Sequence, residues 1–171
     1  MSVADLKRDT SSDANTDTLN WGVKAVRSVL AEGGHSFSLP FARTLGFGQS
    51  IRLVSASFGD VELEWDAEAP LDSMDGIIQG GMLSVIADFA QAHCFSTILD
   101  APQGFSTVDF NTRFLRPVPS GQTYRVHSKL VDRARKTAVF ETVFKRADGK
   151  PTTYVVGSWQ LTDREFKVKQ G

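Results

Sequence analysis

A single cysteine, Cys94, stands in this chain of 171 residues. It leaves no internal disulfide framework and suits a reducing compartment, so cytoplasmic residence is expected. Long hydrophobic runs are missing too: no apolar stretch approaches the length that spans a bilayer, and no membrane partner is expected. Residues 1–20 carry Asp5, Asp9, Asp13 and Asp17 without a hydrophobic segment. They lack the pattern of a secretory leader and read as a flexible tail. An excess of one charge is absent as well, with a formal net charge of -1. No basic run is interleaved with aromatics, so nucleic acid is not an expected partner. His35, His93 and His127 form no ligand pattern with one cysteine, and neither a metal nor a cofactor is expected.

What is present is core-forming material. Hydrophobic residues make up 41% and charged residues 23%, and a chain of this length removes roughly two-thirds of its unfolded surface from water. No repeat, low-complexity tract or long linker divides it. One domain is therefore expected over 21–165, with a short C-terminal tail at 166–171.

The chain is organised around Gly76 to Leu99. A glycine turn feeds a stretch free of proline and glycine from Met82 onward, in which Leu83, Ile86, Ala87, Ala90, Cys94, Phe95 and Ile98 recur at helical spacing. Met82, Val85, Phe89 and Leu99 widen the apolar surface around most of the cylinder, which suits a helix enclosed by protein. Asp88 sits in its middle. An unpaired carboxylate is costly to bury, so this acid either borders a wet cavity or has dedicated partners.

Around that helix the other elements fall into order. Trp21 to Glu32 reads as a helix capped by Asn20, with Trp21, Ala25, Val29 and Val26 on its apolar side. Gly33 and Gly34 stop it, and Pro40, Phe41 and Leu45 are available to cover a core edge. Ser50 to Phe58 and Val61 to Asp66 read as a hairpin around Gly59-Asp60, with Val61, Leu63 and Trp65 alternating against acids. After Pro102-Gln103-Gly104 the period becomes two, and Val108, Phe110, Thr112 and Phe114 alternate with Thr107, Asp109, Asn111 and Arg113. Strands follow over Thr123 to Asp132, Thr137 to Arg146 and Pro151 to Thr162. Four sequential strands with short connections point to an antiparallel meander. The expected class is α+β: a curved antiparallel sheet wrapped around one long helix.

Residues 76–81, Gly-Ile-Ile-Gln-Gly-Gly, are followed by an acid nine positions after Gln79 and by the strand Thr107 to Val118, T-V-D-F-N-T-R-F-L-R-P-V. With Gly121 and the basic turn Arg133 to Lys136, these motifs resemble the hotdog-fold acyl-CoA thioesterases of the phenylacetate-degradation and human thioesterase-superfamily type. The likeness covers approximately Pro40 to Leu161. It implies a homodimer, or a dimer of dimers, with active sites between subunits. It implies an acyl-CoA substrate, with Asp88 as nucleophile or general base, the Gly81 amide polarising the carbonyl, and Thr107 assisting. Two positions depart from the family pattern. Gln79 stands at the usual histidine and can donate an amide hydrogen bond but not shuttle a proton. Ser73 stands at a water-orienting asparagine, where Asp72, Asp75 or a shift in the loop would have to compensate for the shorter side chain.

The chemistry is consistent with those roles. A free amide near a helix N-terminus favours a developing oxyanion, and small residues at Gly80 and Gly81 admit close approach. Asp88 lies two turns further on, about 10 Å along the axis, so it need not act on the carbonyl held by its own Gly81, and a dimer can bring the acid from the facing helix. Arg133, Arg135 and Lys136, with Arg116 joining them in space, suit the phosphates of coenzyme A. Phe89 and the helix apolar residues are candidates to shape an acyl pocket. A buried structural acid, bonded to Thr107, Gln79 or backbone, is the other reading of Asp88. His93 and Cys94 point about 100° apart and do not pair as base and nucleophile. Beside hydrolysis stand a noncatalytic acyl-CoA binding module and a structural oligomerisation protein.

Overall fold

The computed structural model describes residues 20–31, 40–74 and 76–163. The element order is α1 (Trp21–Ala31), α2 (Pro40–Thr44), α3 (Phe47–Ser50), β1 (Ile51–Ser57), β2 (Asp60–Asp66), a 3-10 turn (Ala69–Leu71), β3 (Asp72–Met74), β4 (Ile77–Ile78), α4 (Gly80–Thr97), β5 (Phe105–Phe114), β6 (Thr123–Arg133), β7 (Thr137–Lys145) and β8 (Pro151–Leu161). Six strands form one antiparallel sheet in the order β1-β2-β6-β7-β8-β5. The long helix α4 packs on one face of it, as the sequence leads one to expect. Glu32 and the expected tails, Asn20 excepted, lie outside the described residues.

Alternation is why β2 and β6 turn the faces they do. Val61, Leu63 and Trp65 are fully buried between acids, and Tyr124, Val126 and Ser128 stand opposite them on β6. On α4 the same core takes Leu83, Ile86, Ala87, Ala90, Cys94 and Phe95. Burial on several sides of this helix matches its near-continuous apolar surface.

Two expectations near the N-terminus are corrected. Asn20 does cap α1, its Oδ1 accepting the Val23 N–H at 3.0 Å. The buried face, however, is Val23 and Val26, whereas Trp21 is 37% exposed. The reason is Gly22, whose N–H donates to the Leu99 carbonyl at 3.0 Å and which lies so close that a Cβ there would stand 1.8 Å from the Ser96 carbonyl oxygen. A glycine carries no hydrophobic weight in a pattern, yet here it sets which side of the helix meets α4. Similarly, the 40–50 segment buries Ala42 and Phe47, while Pro40 and Phe41 stay exposed.

Candidate functional site

The N-terminus of α4 is built for access. Gln79 precedes the first turn with no side-chain capping bond, and it is exposed. Its N–H donates to Leu71 O at 2.9 Å. The first N–H groups of a helix have no acceptor within it. Gly81 is exposed, and a Cβ built on it would meet nothing within 4 Å. Gly80 is different: a Cβ there would sit 3.1 Å from the Phe114 ring, so its missing side chain seats that ring over the helix end.

Seven residues after Gly81, Asp88 is half-buried and its Oδ1 accepts a hydrogen bond from Thr107 Oγ1 at 2.7 Å. Burial raises the carboxyl above its ordinary value, and the Thr107 bond partly opposes that. Simple alternation along β5 places Thr107 and Phe110 on opposite faces. The structure corrects this, because the β5–β8 register shifts between Thr107 and Asp109. Val108 is the extra residue of this β-bulge and is 54% exposed. The bulge reverses the phase, so Thr107 faces α4 together with Phe110 and Thr112. Thr112 confirms the sidedness through its hydroxyl contact with Ser84 at 2.9 Å.

The hydroxyl pair Ser84–Thr112 lies one helical turn before Asp88 and was not among the sequence candidates. Another omission is Gln91, fully buried one turn after the acid. Its Nε2 donates to Thr142 Oγ1 at 3.0 Å and its Oε1 accepts the Trp159 indole N–H at 2.9 Å. These bonds fix the roll of α4 on the sheet and hence the direction of Asp88.

The remaining candidates separate. Ser73 Oγ donates to Ile77 O at 3.2 Å and ties the short β3–β4 ladder. Asp72 accepts from Ser120 Oγ at 3.0 Å, and Asp75 lies outside the described residues. Phe89 is 2% exposed, with its ring against Phe41, Phe47 and His93, so it belongs to the core rather than to an open wall. His93 Nδ1 contacts Phe89 O at 2.8 Å, and burial pushes the Cys94 thiol far up, away from nucleophilic use. Arg133, Arg135 and Lys136 line a recess at the C-terminal end of α4 with Phe95, Ile98, Leu99 and Leu161. The Arg133 guanidinium lies 6.0 Å from the Phe58 ring centroid. Arg116 does not join them. It donates to Pro151 O at 2.6 Å, at the opposite end of β5 and β8.

Residues 75–153 match the family model described as Thioesterase superfamily. The fold is matched by the Escherichia coli PaaI protein from the phenylacetic acid degradation operon, with TM-score 0.69 and 18% identity over 86% of this chain and 98% of that one. This is a hotdog domain. Zebra fish thioesterase superfamily member 2 has the same hotdog fold, with TM-score 0.68 and 17% identity over 81% of this chain and 97% of that one. So does a Streptococcus mutans protein bound to acetyl CoA, with TM-score 0.64 and 14% identity over 77% and 97%. In this hotdog domain the acid, its threonine and the open glycine amide lie along one helix and one edge strand.

Thr107→Ala removes the bond that holds the Asp88 pKa down. If the ionised acid is the working form, the acid limb of the pH–rate profile moves to higher pH. Turnover on the acid limb then falls more than turnover on the plateau, by about threefold or more. Parallel profiles for the two proteins would exclude this role for Thr107.

Proposed function

We propose that the domain hydrolyses acyl-CoA thioesters in a homodimer whose subunits join β5 to β5 in antiparallel fashion. The observation that carries this reading is the Thr107–Asp88 pair, set beside the sheet's unpaired edge and two helical turns from an open Gly81 amide. A twofold axis near Phe110 and Asn111 would lay the partner subunit's Phe114 opposite Thr107. Since Phe114 covers Gly80, the partner subunit's Gly81 then approaches Asp88, and each acid is supplied with the amide it lacks.

In the proposed reaction Asp88 takes a proton from water, and the water oxygen attacks the thioester carbonyl. The Gly81 N–H stabilises the oxyanion. Collapse breaks the C–S bond, and the CoA thiolate takes the proton from Asp88 as the free acid departs. A carboxyl made more basic by burial suits this use of water. The same pairing brings the partner subunit's Arg116 to the end of the sheet that carries Arg133, Arg135 and Lys136. Three strand spacings, roughly 14 Å, then separate the groups, a span suited to the nucleotide end of CoA. Support for the chemistry comes from the superfamily match and from a Saccharolobus solfataricus relative provisionally named an esterase, 23% identical over 119 residues, 70% of this chain and 84% of that one.

Mixing two inactive variants, Asp88→Asn and Gly81→Val, tests the shared site. Each heterodimer would rebuild one intact site, so a random one-to-one mixture should recover about a quarter of the wild-type thiol release. No recovery despite verified subunit exchange would rule out a site shared between subunits. CoA-ester binding without wild-type turnover would instead identify a binding module, and a dimer with neither would identify a structural protein. Arg135→Glu is expected to raise KM for an acyl-CoA at least fivefold more than KM for a phosphate-free acyl thioester. Equal changes would remove Arg135 from phosphate recognition.

A further inference from the structure

Beside the open end of α4 runs a groove of about 370 Å³, bounded by Ile78, Leu83, Phe114, Leu115 and Val118, with Arg116 the one charged side chain among its described lining residues. Ile78, Leu83 and Val118 form a buried floor, at 4%, 3% and 1% exposure, while Phe114 and Leu115 stand up at 58% and 49%. Gly80 also lines it, so the groove begins one residue from the Gly81 amide. Phe89, by contrast, is sealed among rings. Resting on the proposed hydrolysis, we infer that this groove holds the acyl chain and that the domain selects unbranched or flat acyl groups of medium length.

The chemistry and the size both argue for that occupant. A lining with a single charge at one end accepts hydrocarbon and penalises an acyl chain with polar substituents along its length. An acyl chain whose carbonyl is held at Gly81 would enter the groove beside Gly80. At about 30 Å³ for a water-sized group, the volume corresponds to roughly a dozen methylenes, and an open groove fills incompletely. Acyl groups of about six to ten carbons therefore fit. Short acyl groups leave Leu83 and Val118 uncovered, and much longer ones run past Arg116 into water.

The test is a binding series with nonhydrolysable thioether analogues of butyryl-, hexanoyl- and octanoyl-CoA, measured by calorimetry on the full chain. Each methylene should tighten Kd about two- to fourfold. Leu115→Glu, a change at a wall that spares the buried floor, should flatten that slope and lower the octanoyl-to-butyryl preference at least tenfold in a protein whose oligomeric state matches the parent. A Kd independent of chain length, or a slope untouched by Leu115→Glu, would overturn the assignment. Equal weakening of all three analogues would mean that the groove takes the pantetheine arm. Because binding is read without turnover, a length-dependent Kd beside absent thiol release would keep the groove and reject the hydrolase.

Discussion

Asp88→Asn is expected to lower kcat for acyl-CoA hydrolysis at least a hundredfold while leaving the fold intact. A hundredfold is about 2.7 kcal/mol of transition-state stabilisation, a modest demand on the only carboxylate that the site places against Thr107. Asparagine keeps an acceptor for the Thr107 hydroxyl, so the 2.7 Å bond has a replacement. What it lacks is a site for the proton of the attacking water. The stability effect should run the other way. The carboxyl pKa is raised in the folded chain, so Asp88 adds stability below its unfolded value and loses it as pH rises through the folded value. At pH 7 to 8 the neutral amide avoids that loss. Asp88→Asn should therefore melt at a higher temperature than the parent, with the advantage fading below the ordinary carboxylate value of 3.8. Thiol release and thermal melts on the same preparations check both halves. An active and destabilised Asp88→Asn protein would return Asp88 to the role of a structural acid.

Gly157→Ala carries the other large effect, and it acts through packing. A Cβ at Gly157 would lie 2.3 Å from Gln91 Oε1 and 2.7 Å from Phe110 Cε1. Neither neighbour can yield without cost. Moving Gln91 strips the Trp159 N–H of its acceptor and pulls on Thr142, which itself donates to Ser128 Oγ at 3.2 Å. Moving Phe110 pries β5 from β8 at the Phe110–Gly157 pair. Overpacking and a broken buried hydrogen bond each cost roughly 1–3 kcal/mol, so a loss of about 2–4 kcal/mol is expected in urea unfolding. A loss below about 1 kcal/mol would show that Gln91 swings aside freely and does not fix the roll of α4.

Much of the architecture was legible because it rests on periodicity. Val61, Leu63 and Trp65 declare a strand face, and the apolar surface of α4 declares an enclosed helix. The acid and the double glycine also announced themselves, the first as a charge in an apolar stretch and the second by its place before the helix. The bulge at Val108 left no such mark. Its residues continue an unbroken alternation, and only the β8 register reveals that Thr107 has changed faces. A lone amide on a helix, such as Gln91, has no meaning until Trp159, Thr142 and Gly157 are known to share its layer. Charge type can be read from a chain and links Arg116 to the basic turn, whereas position along a sheet depends on strand order. Phe89 follows Asp88 directly in the chain, but about 100° of rotation per residue turns it away from the acid and into the rings of Phe41, Phe47 and His93.

The sheet order has a consequence for synthesis. The strand bearing Thr107 ends at Phe114, but the neighbour it pairs with in the sheet begins only at Pro151. During translation that segment must wait, with an apolar face showing, until the last strand has left the ribosome. Pairing of the strand that carries Thr107 is thus a late folding event.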